Sequence, residues 1–136
     1  MAFEERSVLH FLFASPNTSD RSVFYSIEDW DNVCEGILDI ALSSIKELEI
    51  LLSLLGINDF VIENLPNSEY FSGLIDISQY KIPEFNETDF DQFYELWLSK
   101  TGRESNMDEY GQLIFIQGEA RKWNQRLCKV ILIEKY

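Results

Sequence analysis

The residue types that perform catalysis are scarce in this chain. His10 is the only histidine, and it lies beside Phe11 and Phe13 in an apolar run that favours a structural or surface role. No serine or cysteine stands in a sequence signature that implies a partner base, and the sequence has no glycine-rich phosphate loop. We therefore expect a protein that is not an enzyme and has no catalytic residues.

Metal binding through cysteine is not indicated either. Cys34 and Cys128 are too few and too far apart in sequence for a disulfide framework or a zinc site, so we expect buried thiols. The segment Asp29–Asn32 is too short for a calcium loop of the EF-hand type. Carboxylates are abundant enough for a carboxylate-only Mg²⁺ or Ca²⁺ site or a glycosidase pair, but the chain is short for a glycosidase cleft. We expect no cofactor and no metal.

The charge balance gives the strongest indication of a partner. Twenty-four acidic residues face eleven basic ones, which gives a formal net charge of −13 at pH 7. Such a field repels nucleic acid and anionic lipid and attracts basic proteins. Five of the eleven bases lie in residues 119–136, and direct binding to phosphates requires basic stripes that most of the chain lacks. The charge therefore predicts a basic protein partner and no direct contact with nucleic acid.

The distribution of apolar residues predicts a cytoplasmic location. Nothing approaches the roughly 18 uninterrupted apolar residues of a membrane span. Glu4 and Glu5 stand where a secretory signal would carry positive charge. We expect no membrane association.

A first candidate docking surface is a row of acids in a segment with helical periodicity. Glu28, Asp31, Glu35 and Asp39 are spaced i, i+3, i+7 and i+11, which keeps them within about 80° of one another on a helix. Like charges four residues apart cost roughly 0.2–0.5 kcal/mol per pair. A solvated helix face is one interpretation, but such a face normally mixes both signs, so the row favours a surface that meets a partner.

A second candidate surrounds an aromatic residue in the next predicted helix. Asp89, Asp91 and Glu95 could form an acidic rim around Tyr94, an arrangement that is common at protein–protein hot spots. Packing in the core explains this tyrosine and its aromatic neighbours at least as well. Both interpretations stay open at this point.

The elements that position these residues begin with two predicted strands, Ser7–Ala14 and Ser22–Tyr25, which could pair as a hairpin. Helical periodicity starts at Ser26 and continues to a stop at Gly56. A single long helix is possible. A break at Ser43-Ser44, where Ser44 caps a second helix, fits equally well.

The second half of the chain predicts one more helix and a C-terminal hairpin. Asn58–Leu65 favours a short strand, Ser68–Phe85 has no clean period and is predicted to be irregular, and Thr88–Lys100 is predicted helical. Gln112–Gln117 and Cys128–Ile133 are apolar, β-branched runs typical of buried central strands. The segment between them could form one turn of helix, but we favour a hairpin.

These elements predict one domain over residues 1–136. Its fold class is α+β: a small, mostly antiparallel sheet, built from the N-terminal strands and the C-terminal hairpin, with two to three helices packed on one face.

Three functional hypotheses follow from the charge. The first is an immunity protein that neutralises a basic toxin, such as a nuclease, through electrostatically steered binding. The second is a nucleic-acid mimic of the anti-restriction or anti-CRISPR kind, in which carboxylates stand in for phosphates. The third is a non-inhibitory interaction subunit that uses the basic C-terminal patch, where Trp123 lies among Arg121, Lys122 and Arg126.

Overall fold

The computed structural model describes residues 9–16, 34–126 and 128–135, and only the backbone of residues 34–38. These residues form five strands and three helices. The strands are β1 (Leu9–Pro16), β2 (Cys34–Leu42), β3 (Ile62–Asn64), β4 (Phe71–Asp76) and β5 (Val130–Glu134). The helices are α1 (Ile45–Leu54), α2 (Glu87–Thr101) and α3 (Met107–Asn124).

The five strands form one antiparallel sheet in the order β2-β1-β5-β4-β3. Helix α1 connects β2 at one edge of the sheet to β3 at the other edge. Helices α2 and α3 both lie in the connection between the neighbouring strands β4 and β5. This topology leaves the three-residue strand β3 at an edge, paired only with β4 among the described residues.

The three described helices pack on one face of the sheet. Phe11 and Phe13 of β1 and Ile131 and Ile133 of β5 join the helical side chains in one core cluster. The alternate strand residues form a smaller cluster on the opposite face, to which none of the three helices contributes. The α+β fold with a small antiparallel sheet is therefore confirmed, as is the two-sided burial of the strand predicted at Cys128–Ile133.

Local capping signals predicted the ends of two helices correctly. The Ser44 side chain accepts a hydrogen bond from the Glu47 backbone N–H and caps α1, as predicted for a break at this position. Helix α1 is followed by Gly56 at φ 83° and helix α2 by Gly102 at φ 69°. Both glycines hold the left-handed conformation that ends helices at low cost.

The prediction that the helix from Ser26 extends through residue 42 is wrong, because Cys34–Leu42 is strand β2. A bulge explains the error: Phe13 pairs with Leu38 and Ala14 pairs with Gly36, so β2 has one extra residue. A bulge shifts the alternation of a strand by one position, and here the shifted apolar residues imitate a helical period. The strand predicted at Ser22–Tyr25 lies outside the described residues.

The predicted C-terminal hairpin is also wrong, since Gln112–Gln117 lies inside helix α3 and only β5 is a strand. Leu113 and Ile116 are buried on the inner face of α3, whereas Ile114 and Phe115 between them are exposed. Apolar residues on both faces of a helix remove its amphipathic period, so the run imitates a buried strand. The segment Ser68–Phe85, predicted to be irregular, contains strand β4.

Candidate functional site

A cleft lined by carboxylates lies at the β3 edge of the sheet. Asp59, Glu63 and Asp76 line it together with Phe60, Val61, Ser78 and Gln79, and we refer to these seven residues as the acidic cleft. The cleft has a volume of about 590 Å³. The described residues that line it include neither lysine nor arginine. The cleft therefore combines three exposed carboxylate residues with apolar surface.

Strand pairing brings these carboxylates together. Ile62 pairs with Ile75 and Glu63 pairs with Leu74, so Glu63 on β3 comes close to Asp76, the last residue of β4. The preceding loop is held by the Tyr80 hydroxyl, which donates a hydrogen bond to the Asp59 carbonyl at 2.6 Å. These acids are too widely separated in the sequence for any short motif to connect them, so no local pattern predicts the group.

Hydrogen bonding fixes one wall of the acidic cleft. The Asp76 carboxylate accepts a hydrogen bond from the Ser78 backbone N–H at 2.9 Å. Lys129 is buried close to Asp76. Burial lowers the pKa of the Lys129 ammonium, and the attraction of Asp76 partly opposes this shift. Asp76 therefore interacts with Ser78 and Lys129 and is also exposed to solvent.

Exposed apolar atoms accompany the acids of the cleft. Val61, which lines the cleft, is 77% exposed. A lysine or arginine side chain carries an apolar stem and a cationic head, so it matches apolar surface bordered by carboxylates. The acidic cleft is suited to a basic side chain from another protein.

A second depression extends the acidic surface towards helix α1. It has a volume of about 430 Å³ and shares Asp59 and Phe60 with the acidic cleft. Glu49 on α1 and the polar residues Ser53 and Asn58 complete much of its lining. The acidic surface therefore extends from the edge of the sheet onto α1.

The structure places the second predicted surface on α2. Asp89, Asp91 and Glu95 are exposed on this helix. Tyr94 is only 7% exposed, and its hydroxyl accepts a hydrogen bond from the Asn106 backbone N–H at 3.1 Å. Of the two interpretations of Tyr94, packing in the core agrees with this placement, and the ring offers little surface to a partner.

The first predicted surface is not one helical row. Glu35 and Asp39 lie on strand β2, where Glu35 pairs with Ser15 of β1 and Asp39 pairs with Leu12. Glu28 and Asp31 lie outside the described residues. Asp39 is exposed, but its near neighbours include His10 and Glu134 rather than a row of acids.

His10, Asp39 and Glu134 converge on the sheet face opposite the helices, and we refer to them as the sheet triad. They come from the three adjacent strands β1, β2 and β5. His10 Nδ1 lies 3.4 Å from Asp39 Oδ1, and one side-chain ligand atom from each residue lies within 4.8 Å of the other two. Burial raises the pKa of Glu134, a hydrogen bond and repulsion from Asp39 raise it further, and His10 partly opposes the shift.

A different group of carboxylates serves to join the helices. Arg103 Nη1 lies 3.0 Å from Glu47 Oε1 of α1, and Arg103 Nη2 lies 2.6 Å from Glu109 Oε2 of α3. Trp97 of α2 donates its indole N–H to Glu109 at 2.7 Å. We refer to these four residues as the Arg103 network. Because all four are engaged with one another, the network is structural.

Comparison of the chain with protein-family models, with curated proteins and with solved structures gives no match. Among the described helices, none is both long and apolar enough to cross a membrane.

Proposed function

We propose that the protein binds and inhibits a basic protein, as immunity proteins do with nuclease toxins, and that the acidic cleft is its docking site. One observation carries the proposal: Asp59, Glu63 and Asp76 line a cleft beside the exposed side chain of Val61 at the edge of the sheet. A nuclease surface must be basic to hold phosphates, so it would complement such a cleft.

The distribution of charge supports this choice of surface. Residues 47–95 contain eleven acidic residues and a single basic one, Lys81. Ten of these eleven acids are exposed, and only Glu47 is half-buried. A one-sided field of this kind steers a basic partner and can raise association rates to about 10⁸–10⁹ M⁻¹s⁻¹ at low salt.

Apolar contact would supply affinity that charge alone does not. Charged groups at an interface mainly set the association rate and specificity, whereas desolvated apolar and aromatic contacts dominate hot spots. Val61 and Phe60 place such groups among the carboxylates of the cleft. This combination favours a protein partner over a small cation.

The two alternatives have less support. The nucleic-acid mimic depended on a helical row of carboxylates, but Glu35 and Asp39 lie on a strand. The interaction subunit depended on Trp123 as a ring for stacking. Trp123 is buried and donates its indole N–H to the Ala14 carbonyl at 3.1 Å. Lys129 is also buried, and Lys135 donates to the Ser68 carbonyl, which reduces the exposed basic patch.

The proposal is tested with the product of a neighbouring gene, where that product is a basic nuclease, by measuring DNA cleavage and the association rate at several salt concentrations. The double variant Asp59→Asn/Glu63→Gln removes two charges from the acidic cleft. The matched control, Asp89→Asn/Glu95→Gln, removes two charges from α2. We expect the wild type and the control to inhibit cleavage and the cleft variant to associate roughly tenfold more slowly at low salt.

Two results would contradict the proposal. Unimpaired DNA cleavage in the presence of excess protein would exclude inhibition of the nuclease. Slower association of the α2 variant with an unaffected cleft variant would move the docking surface to the predicted residues Asp89 and Glu95.

A further inference from the structure

The sheet triad combines donor types that metal ions bind. His10 offers an imidazole nitrogen, and Asp39 and Glu134 offer carboxylate oxygens. The triad is formed by pairing of distant strands, since His10 and Asp39 are separated by 29 positions and Glu134 lies near the end of the chain. Among the described residues, this is the one group of at least three such side chains with converging ligand atoms.

Strand geometry makes this convergence informative. Strands β2 and β5 lie on either side of β1, so their backbones are separated by about 9.5 Å, twice the spacing of neighbouring strands. One carboxylate oxygen of Asp39 and one of Glu134 nevertheless lie within 4.8 Å of each other across the intervening strand. Two carboxylates this close repel each other, and a cation bound between them would relieve the repulsion.

We propose that the sheet triad binds a divalent transition-metal ion, with Zn²⁺ the favoured ion, through His10, Asp39 and Glu134. Zinc–nitrogen and zinc–oxygen bonds of about 2.0–2.2 Å place two tetrahedral ligands about 3.4 Å apart. The distance between His10 Nδ1 and Asp39 Oδ1 is 3.4 Å, and the ligand atoms of all three residues lie within 4.8 Å of one another. Small side-chain rotations therefore suffice to surround one ion.

The donor set also distinguishes among metals. Mg²⁺ and Ca²⁺ prefer shells made of oxygen alone, whereas an imidazole nitrogen favours Zn²⁺ and its transition-metal neighbours. Three protein ligands leave a fourth tetrahedral position for water. The Asp39 side chain is 48% exposed, so solvent has access to that position.

The site is independent of the proposed inhibitory function. The sheet triad belongs to β1, β2 and β5, whereas the acidic cleft lies around β3 and the end of β4. A variant of Asp39 should therefore inhibit a basic nuclease as the wild type does. Failure of metal binding and failure of inhibition are distinguishable in separate assays.

The test is calorimetric titration of the full, chelator-treated chain with ZnCl₂, and with MgCl₂ as the comparison ion. We expect one Zn²⁺ per chain and at least about tenfold weaker binding in Asp39→Asn and in His10→Ala. The variant Glu95→Gln, which removes an exposed charge from α2, is the matched control and should bind as the wild type does. Co²⁺ should give intense visible bands of tetrahedral coordination that both triad variants lose.

Asp39→Asn keeps the size and exposure of the side chain, so it provides a result even if His10→Ala fails to fold. Wild-type protein that binds no Zn²⁺ would overturn the proposal. Equal Zn²⁺ affinity in the wild type and Asp39→Asn would also overturn it, because the ion would then lie elsewhere. Tighter binding of Mg²⁺ than of Zn²⁺ would exclude His10 as a ligand.

Discussion

The Arg103 network and the acidic cleft use the same kind of side chain in opposite ways. In the network, the Glu47 and Glu109 side chains are only 13% and 9% exposed, and both contact Arg103. In the cleft, the carboxylates of Asp59, Glu63 and Asp76 are exposed, and the described lining residues supply no arginine or lysine. The comparison shows that burial decides whether a carboxylate is enclosed within the fold or reachable from solvent.

The physical reason lies in the cost of removing a charge from water. A buried carboxylate requires a close cation and further hydrogen bonds, and loss of the cation leaves an uncompensated charge. An exposed carboxylate remains solvated and needs no such partner. Substitutions in the network should therefore change stability, and substitutions in the cleft should change binding.

The largest expected effect is the loss of the shared cation. Arg103→Met should lower the free energy of unfolding by about 3 kcal/mol, because two half-buried or buried carboxylates lose their partner. Urea denaturation measures this change. Lys100→Met, at the exposed end of α2, is the control and should cost less than about 0.5 kcal/mol. Equal losses in the free energy of unfolding for the two substitutions would show that the ion pairs of Arg103 do not stabilise the fold.

A smaller effect is expected from the indole donor of the network. Trp97→Phe removes the 2.7 Å hydrogen bond to Glu109 as well as some core volume. A double-mutant cycle with Glu109→Met, which removes the acceptor, separates the two contributions, and we expect a coupling energy of about 1–2 kcal/mol. A coupling energy near zero would assign the whole cost of Trp97→Phe to packing.

The network also predicts how stability depends on pH. Burial alone would raise the pKa of Glu47, but hydrogen bonds from Ser43 and the Arg103 guanidinium outweigh it and lower this pKa below 4.5. The folded state therefore binds the proton less readily than the unfolded state does. The resulting stabilisation is present above pH 4.5 and is lost as the pH falls through the lower, folded-state pKa. The measurement is the free energy of unfolding between neutral and acidic pH, which should fall less steeply in Glu47→Gln.

The smallest effect on stability is expected in the acidic cleft. Asp59→Asn/Glu63→Gln should change the free energy of unfolding by no more than about 0.5 kcal/mol, since both side chains are exposed. Thermal and urea denaturation measure it in the same variant that is used for inhibition. A large loss of stability would show that these carboxylates stabilise the fold as those of the Arg103 network do. The two regions would then not differ in this respect.

Local signals allowed much of the fold to be predicted. The cap at Ser44 and the glycines after α1 and α2 act within one turn of a helix, so neighbouring residues suffice to identify them. Errors arose where tertiary contacts outweigh periodicity. The bulge in β2 is set by its pairing with β1, and the exposed residues Ile114 and Phe115 hide the inner face of α3.

The candidate site was harder to predict than the fold. Local patterns in the sequence indicate the acids on α2, which are exposed, but contain no sign that Asp59, Glu63 and Asp76 form a group. It also treated His10 as isolated, because no metal-binding spacing surrounds it in the sequence. Only the pairing of β1 with β2 and β5 brings Asp39 and Glu134 to His10.

The sequence by itself determined the net charge of −13, the concentration of acids between residues 47 and 95, and the helix-end signals at Ser44, Gly56 and Gly102. These properties depend on composition or on contacts between residues close along the chain. The tertiary structure alone decided which carboxylates are buried against Arg103, which line the acidic cleft and which meet His10. Those groupings depend on strand order and helix packing, which join residues far apart in sequence and leave no local signature.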